Sequence, residues 1–212
     1  MSEDNAQTIL RETLGVSRET MARLSLFGDM VIAENSQQNL ISASTIPRIW
    51  QRHILDSAQL IRFMPSRGHR LDLGSGAGFP GVILALLQSQ PIILIESRRK
   101  RIDFLQRAID VLGLRHVIIH GGTLESLSSV VASAIVARAF APLPKLFDLA
   151  HRFSIDETVW ILPKGRRANE ELTTAHDSWR GRFRVERSLS DPDASIIVAS
   201  AIQPLGLSRG LE

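Results

Sequence analysis

Along the first part of the chain, apolar positions recur at helical spacing. Met21, Leu24, Phe27 and Val31 mark one face of a helix. A polar break at residues 35–39 follows. Thr45 then stands where a residue caps a second helix, with Pro47 in its first turn. Ile49, Trp50, Ile54, Leu60 and Ile61 give that helix its apolar face. Pro65 to Gly68 reads as a junction, so residues 1–65 are assigned to an N-terminal helical annex and 66–212 to a larger domain. From Arg70 the pattern becomes alternating strand and helix. Short apolar runs at Arg70–Leu73, Ile92–Glu96, His116–His120, Ala134–Ala137 and Thr158–Leu162 predict strands. Helical patterns lie between and after them near Gly81–Leu87, Arg98–Leu112, Pro144–Phe153 and Arg167–Ser178. Such alternation predicts an α/β, doubly wound, mostly parallel sheet. Phe183–Leu189 and Ser195–Ile202, joined by a turn at Ser190–Asp193, predict an antiparallel C-terminal hairpin at or near one edge.

Composition narrows the class. An apolar fraction of 44% and a charged fraction of 22% over 212 residues are ordinary for a soluble domain with a full core. No run approaches the length of a membrane helix, and the polar, acidic Met1–Gln7 is not a signal peptide. The absence of cysteine excludes disulfides, thiolate metal sites and cysteine nucleophiles, and fits a cytoplasmic protein. Net charge is only +3, yet the pI is about 10.1, because without Tyr or Cys few groups titrate between His and Lys. All basic residues but Lys100, Lys145 and Lys164 are arginines. The arginine fork suits phosphate and guanine, and a GC-rich genome gives the same bias.

The densest signal is Arg70-Leu-Asp-Leu-Gly-Ser-Gly-Ala-Gly-Phe-Pro-Gly81. A strand runs into three alternating glycines, Gly74, Gly76 and Gly78, and Pro80 then opens a helix. Glycines there let backbone approach a ligand at the carboxyl edge of the first strand. Glu96 ends the next strand, where its carboxylate can accept the two hydroxyls of a ribose. Two cofactors fit. Gly76-Ala-Gly78-Phe-Pro-Gly81 with Glu96 matches a nicotinamide dinucleotide fingerprint. Asp72 favours S-adenosylmethionine (SAM): a carboxylate before the glycines can hold an ammonium, whereas it would repel a pyrophosphate.

These residues resemble the RsmG family, also called glucose-inhibited division protein B. The resemblance runs from about Asn39 and is carried by Arg52-His-Ile-Leu-Asp-Ser57, the glycine segment, Glu96-Ser-Arg-Arg-Lys-Arg-Ile-Asp-Phe-Leu105, Ala137-Arg-Ala-Phe140 and Leu162-Pro-Lys-Gly165. It implies a Rossmann-like SAM-dependent methyltransferase fold and methylation of guanine N7 in small-subunit (16S) ribosomal RNA. Gly74 and Phe79 match positions lining the SAM site, Glu96 the acid ending the second strand, and Leu124 and Glu125 the pair flanking the adenine. Arg138 and Lys164 match the basic residues after the fourth and fifth strands. Three positions depart from the family pattern: Thr123 where it carries Arg, Asp193-Ala-Ser195 where it shows Glu-Arg-His, and Glu34-Asn-Ser where it shows Trp-Asn.

Guanine N7 has a free lone pair, so its methylation needs no general base, and positioning supplies most of the catalysis. Arg138 and Lys164 are the expected catalytic residues, orienting RNA without carrying protons, and Arg138 also faces the cofactor. His53 and Asp56 share a helix face. They either cover the pocket and orient substrate or pack the annex onto the sheet. Over residues 97–115 there are six basic side chains against two acidic ones. Arg98, Lys100, Arg101 and Arg166 are therefore expected along an RNA phosphate track, continued by Arg180, Arg182, Arg184 and Arg187. Trp50, Trp160 and Trp179 read as packing rather than base-stacking residues. His116, His120, His151 and His176 lack metal-ligand spacing, and no metal site is expected. A nicotinamide oxidoreductase and a non-catalytic RNA-binding module are the alternatives. The expected partner is 16S rRNA or the small ribosomal subunit, with no membrane; the lack of an exposed apolar stripe predicts a monomer.

Overall fold

The computed structural model describes residues 1–206. Helix α1 (Glu3–Thr8) leads through a π turn into α2 (Arg18–Glu34), which Ser17 caps by accepting the Thr20 N–H at 3.2 Å. The second helical stretch differs from expectation. Thr45 does not cap it but lies inside a 3-10 turn (Ala43–Arg48). Its N–H and hydroxyl both donate to the Ser42 carbonyl. The chain continues through a π segment (Trp50–Leu55), the short α3 (Asp56–Ala58) and a 3-10 turn (Gln59–Phe63). The Glu3 carboxylate accepts the Trp50 and Gln51 N–H groups at 2.8 and 3.0 Å, supplying the helix start with the acceptor that Thr45 does not provide.

The rest follows the alternating pattern: β1 (His69–Leu73), α4 (Gly81–Leu87), β2 (Ile92–Glu96), α5 (Arg99–Leu112), β3 (Val117–Gly121), β4 (Ala132–Ala137), α6 (Leu143–Ala150), β5 (Val159–Lys164), α7 (Ala168–His176), β6 (Trp179–Arg187) and β7 (Ser195–Pro204). Seven strands form one sheet in the order β3-β2-β1-β4-β5-β7-β6. The first five are parallel; β7 runs antiparallel to β5 and β6. The last strand therefore inserts beside β5 and leaves the preceding one, β6, at the edge. β6 begins at Trp179, earlier than its alternation suggests, because Trp179 and Phe183 both pack on Phe147.

Strand order reverses between β1 and β4, so a crevice opens at their carboxyl ends. Side chains alternate across the sheet. Leu71, Leu73, Ile93 and Ile95 enter the core beneath α6 and α7. Ile92 and Leu94 enter the opposite core with Val82, Phe104, Phe27, Ile54 and Leu60, so the first 65 residues share a core with α4 and α5. Gly113, at φ 63°, ends α5 in the left-handed conformation.

Phe147 is buried and meets Trp160, Trp179 and Phe183 with ring centroids 5.1, 5.6 and 6.3 Å away. Phe147→Ala is expected to cost about 3–5 kcal/mol of stability, read by urea denaturation. A loss below about 1 kcal/mol would show that this aromatic cluster does not anchor α6 to the sheet.

Candidate functional site

The loop after β1 is a backbone cradle. Gly74, Gly76 and Gly78 have φ of 70°, 57° and 91°. A side chain at Gly74 would meet the Phe140 ring, and one at Gly78 would meet Val82 and Phe27. The Glu96 carboxylate ties the cradle to β2. Its Oε2 accepts the Gly76 N–H at 3.0 Å, and its Oε1 accepts those of Ser97 and Arg98 at 2.9 and 2.8 Å. Arg101 stands 3.7 Å from Oε2. Both lone pairs of Oε1 are thus used, and the lone pair left for a ribose hydroxyl is on Oε2.

Asp72 is fully buried. Its Oδ2 accepts the Gly81 N–H at 3.1 Å, while Oδ1 has no partner. Burial pushes its pKa up to about 6. The folded value exceeds the unfolded one, so the associated stability is present below the unfolded pKa and is lost as pH rises through about 6. At neutral pH the fold holds this carboxylate charged at a cost, which a cation placed at Oδ1 would offset.

Arg138, after β4, joins this cradle to the annex. Its guanidinium donates to the Arg52 carbonyl at 3.2 Å and to His53 Nδ1 at 3.0 Å. It also stands 3.5 Å from Asp56 Oδ2 and 5.3 Å from the Phe79 ring centroid. Burial lowers the Arg138 pKa, opposed by the charges of Asp56 and Asp72. Because Arg138 can only donate, His53 Nδ1 carries the lone pair and Nε2 the proton. Nε2 donates to Thr45 Oγ1 at 2.8 Å, and Thr45 donates to the Ser42 carbonyl at 2.7 Å. Burial, reinforced by Arg138 and Arg52, drops the His53 pKa to about 3. His53 is therefore neutral and committed at both nitrogens, in no position to act as a base.

Beyond Arg138 opens a cavity of about 910 Å³, lined by residues from the annex, the ends of β4 and β5, α7 and the hairpin turn. Lys164 faces it, paired with Glu171 at 2.7 Å. The hairpin turn closes one side, held by a fully buried Gln59. Gln59 Oε1 accepts the Leu189 N–H at 2.6 Å, and its Nε2 donates to the Asp56 carboxylate at 3.1 Å. Ser190 Oγ donates to the same Asp56 oxygen at 2.6 Å.

The structure thus brings Asp72, Gly74, Gly76, Gly78, Phe79, Arg138, His53 and Asp56 together, with Lys164 across the cavity. Leu124 is buried in the second core, and Glu125 is exposed nearby, its carbonyl accepting from Arg152. Arg98, Lys100 and Arg101 flank Glu96 rather than the cavity; the Lys100 carbonyl accepts from Gln38. Arg166 is exposed and paired with Asp193. Sequence reasoning missed Thr45, Gln59, Phe140, Glu171 and Ser190. Phe140 lies within the Ala137–Phe140 segment; Thr45 and Glu171 meet His53 and Lys164 eight and seven residues away, whereas Gln59 and Ser190 gain their place through contacts more than a hundred residues distant.

The sequence model for rRNA small subunit methyltransferase G matches residues 20–190. The chain belongs to this family. It is 52% identical to the ribosomal RNA small subunit methyltransferase G of Rhizorhabdus wittichii, covering 90% of each chain. It is 44% identical to that of Zymomonas mobilis, covering 96% of each. Among solved structures it shares its fold with a SAM-dependent methyltransferase from Aquifex aeolicus, at 13% identity and TM-score 0.56 over 73% of this chain and 92% of that one. It also shares it with Aeropyrum pernix fibrillarin in complex with S-adenosyl-L-methionine, at 17% identity and TM-score 0.54 over 70% and 75%.

Positions at which this member of the methyltransferase G family departs from the family pattern have structural partners. Glu34 pairs with Arg107 at 2.6 Å, Asp193 pairs with Arg166, and the Thr123 carbonyl accepts from Ser126 at 2.8 Å. Asn35 keeps a role, its Oδ1 accepting the Leu40 and Ile41 N–H groups at 2.9 Å each. Gln59→Leu leaves the Leu189 N–H without its acceptor. It is expected to cost about 1–3 kcal/mol and to speed amide exchange in the hairpin turn. Unchanged exchange at Leu189 would show that Gln59 does not hold the turn.

Proposed function

We propose that this protein transfers the methyl group of SAM to N7 of a guanine in small-subunit (16S) ribosomal RNA. Family membership supports the reaction, and the RsmG resemblance supports the base and atom. One observation carries the reading structurally: a buried, half-partnered carboxylate stands beside a glycine cradle, and a fixed guanidinium, that of Arg138, joins the cradle's Phe79 to the wall of a large cavity. Asp72 and Arg138 suit the ammonium and carboxylate of an amino-acid moiety, and the cradle with Glu96 suits a nucleoside. SAM supplies an electrophilic methyl group on a sulfonium.

The chain's own residues orient, and none needs to remove a proton. The N7 lone pair forms the new bond to carbon, the carbon–sulfur bond electrons remain on sulfur, and the guanine becomes cationic. That requirement agrees with a site whose histidine is neutral and doubly hydrogen-bonded. Among the described residues no group could hold a metal ion, and no helix is long and apolar enough to cross a membrane. We place the enzyme with ribosomes in the cytoplasm, as a monomer. Its large exposed apolar side chains, such as Val111, Ile118 and Val131, are single positions.

Transfer of radiolabelled methyl from SAM to small ribosomal subunits and to free rRNA tests the reaction. Label is expected on guanine N7. Gly74→Asp, whose side chain would meet Phe140, is expected to lose it. Arg138→Ala should lower turnover by about a hundredfold or more while the far-UV circular dichroism spectrum is kept. Wild-type turnover in Arg138→Ala would contradict its positioning role, and absence of label on either RNA would contradict the reaction.

Affinity for SAM should also depend on pH. Asp72 must be ionised to hold an ammonium, so affinity should fall below pH about 6, approaching tenfold per unit, as the carboxyl protonates. Asp72→Asn should bind weakly with a flat profile. A wild-type profile in calorimetric titration that is flat down to pH about 4.5 would separate Asp72 from cofactor binding.

A further inference from the structure

Lys164 and Glu171 form a donor–acceptor pair on the cavity wall that the methyl-transfer chemistry leaves without a task. Lys164 comes from the carboxyl end of β5 and Glu171 from α7, and both line the cavity. Lys164 Nζ lies 2.7 Å from Glu171 Oε2 and 3.4 Å from the Ala141 carbonyl. Their side chains are 12% and 28% exposed, shielded from bulk water yet reachable from the cavity.

A carboxylate is an unexpected lining for a site that holds a polyanion. Glu171 neutralises Lys164 and repels phosphate, so the pair makes a poor phosphate clamp. Arg167, at the start of α7 on the same wall, has no carboxylate partner among the described residues and suits that task better. An ammonium beside a carboxylate instead matches a group with an acceptor next to a donor. Guanine presents O6, then N1–H, then the 2-amino group. Adenine presents a donor and then an acceptor, the reverse. Uracil matches the first two positions but turns O2 toward the carboxylate, and it has no N7.

We infer that Lys164 and Glu171 select the target base. Lys164 donates to O6 from its N1 side, and Glu171 accepts from N1–H and the 2-amino group. N7, on the other side of O6, stays open toward the cradle and Arg138. Adenine would set its N1 lone pair against Glu171 and its amino group against Lys164. A site built to hydrogen-bond one edge rejects the analogue lacking it because its own polar groups are left unpaired. This selection rests on the methyl-transfer reading above and adds which residues choose the base.

The test compares kcat/KM of wild type, Glu171→Ala and Glu171→Gln on 16S rRNA ligated to carry guanosine or inosine at the methylated position. Inosine keeps N7, O6 and N1–H but lacks the 2-amino group. Wild type is expected to lose about ten- to a hundredfold on inosine, the effect of one hydrogen bond to a charged group. Glu171→Ala should be slow on guanosine and indifferent between the two bases, with unchanged SAM affinity. Glu171→Gln, which keeps an acceptor oxygen, should recover part of the guanosine activity. It also carries the comparison if circular dichroism shows that the alanine variant does not fold. Wild-type kcat/KM in Glu171→Ala, or a preference for guanosine retained in it, would overturn the inference while leaving the methyl transfer intact. A wild-type enzyme that labels neither RNA would overturn the methyl transfer itself and the base selection with it.

Discussion

The site depends on how one guanidinium is held. Arg138 leaves the end of β4 and is fixed by the Arg52 carbonyl, His53 Nδ1 and the Asp56 carboxylate, with the Phe79 ring beside it. A partly buried cation is tolerable only when its donors are answered, and removing a partner from such a group costs far more than the pair contributes net. Every partner of Arg138 therefore becomes part of the site's foundation. Phe79 belongs to the glycine loop, and His53 and Asp56 to the annex. Through Asp56 the foundation extends to Gln59 and Ser190, and so to the hairpin turn between β6 and β7. Annex, cradle and hairpin meet at this residue.

Two buried titratable groups flank it with opposite shifts. Burial raises Asp72 to about 6 and lowers His53 to about 3. Each shift disfavours the charged form, as low polarisability around a group demands. The consequences differ. His53 stays neutral at any physiological pH and only passes a hydrogen bond from Arg138 to Thr45. Asp72 is mostly charged at neutral pH with one oxygen unanswered. The same physics thus makes one residue a fixed strut and leaves the other in want of a cation.

The strand–helix alternation and the glycine loop were readable because each depends on neighbours a few positions away. Strands need period-two apolar runs, and a backbone cradle needs glycines at positive φ. Where reading failed, a remote group had intervened. Thr45 looks like a cap, but Glu3 supplies the helix start and His53 takes the threonine hydroxyl. The two basic groups, Arg98 with Lys100 and Arg101, and Arg166, follow β2 and β5, which lie in separate parts of the sheet.

Local pattern thus determined the α/β class, the parallel order of alternation and the glycine cradle, and five separated segments in order carried the resemblance to the family. Tertiary structure alone decided that β7 inserts between β5 and β6, that Gln59 and Ser190 brace Asp56, and that Glu171 pairs with Lys164 on the cavity wall. Periodicity and turn chemistry are properties of contiguous residues and are written in the chain. Hydrogen bonds between groups more than a hundred residues apart, such as that of the Leu189 N–H to Gln59 Oε1, exist only once the sheet has set the distance between them.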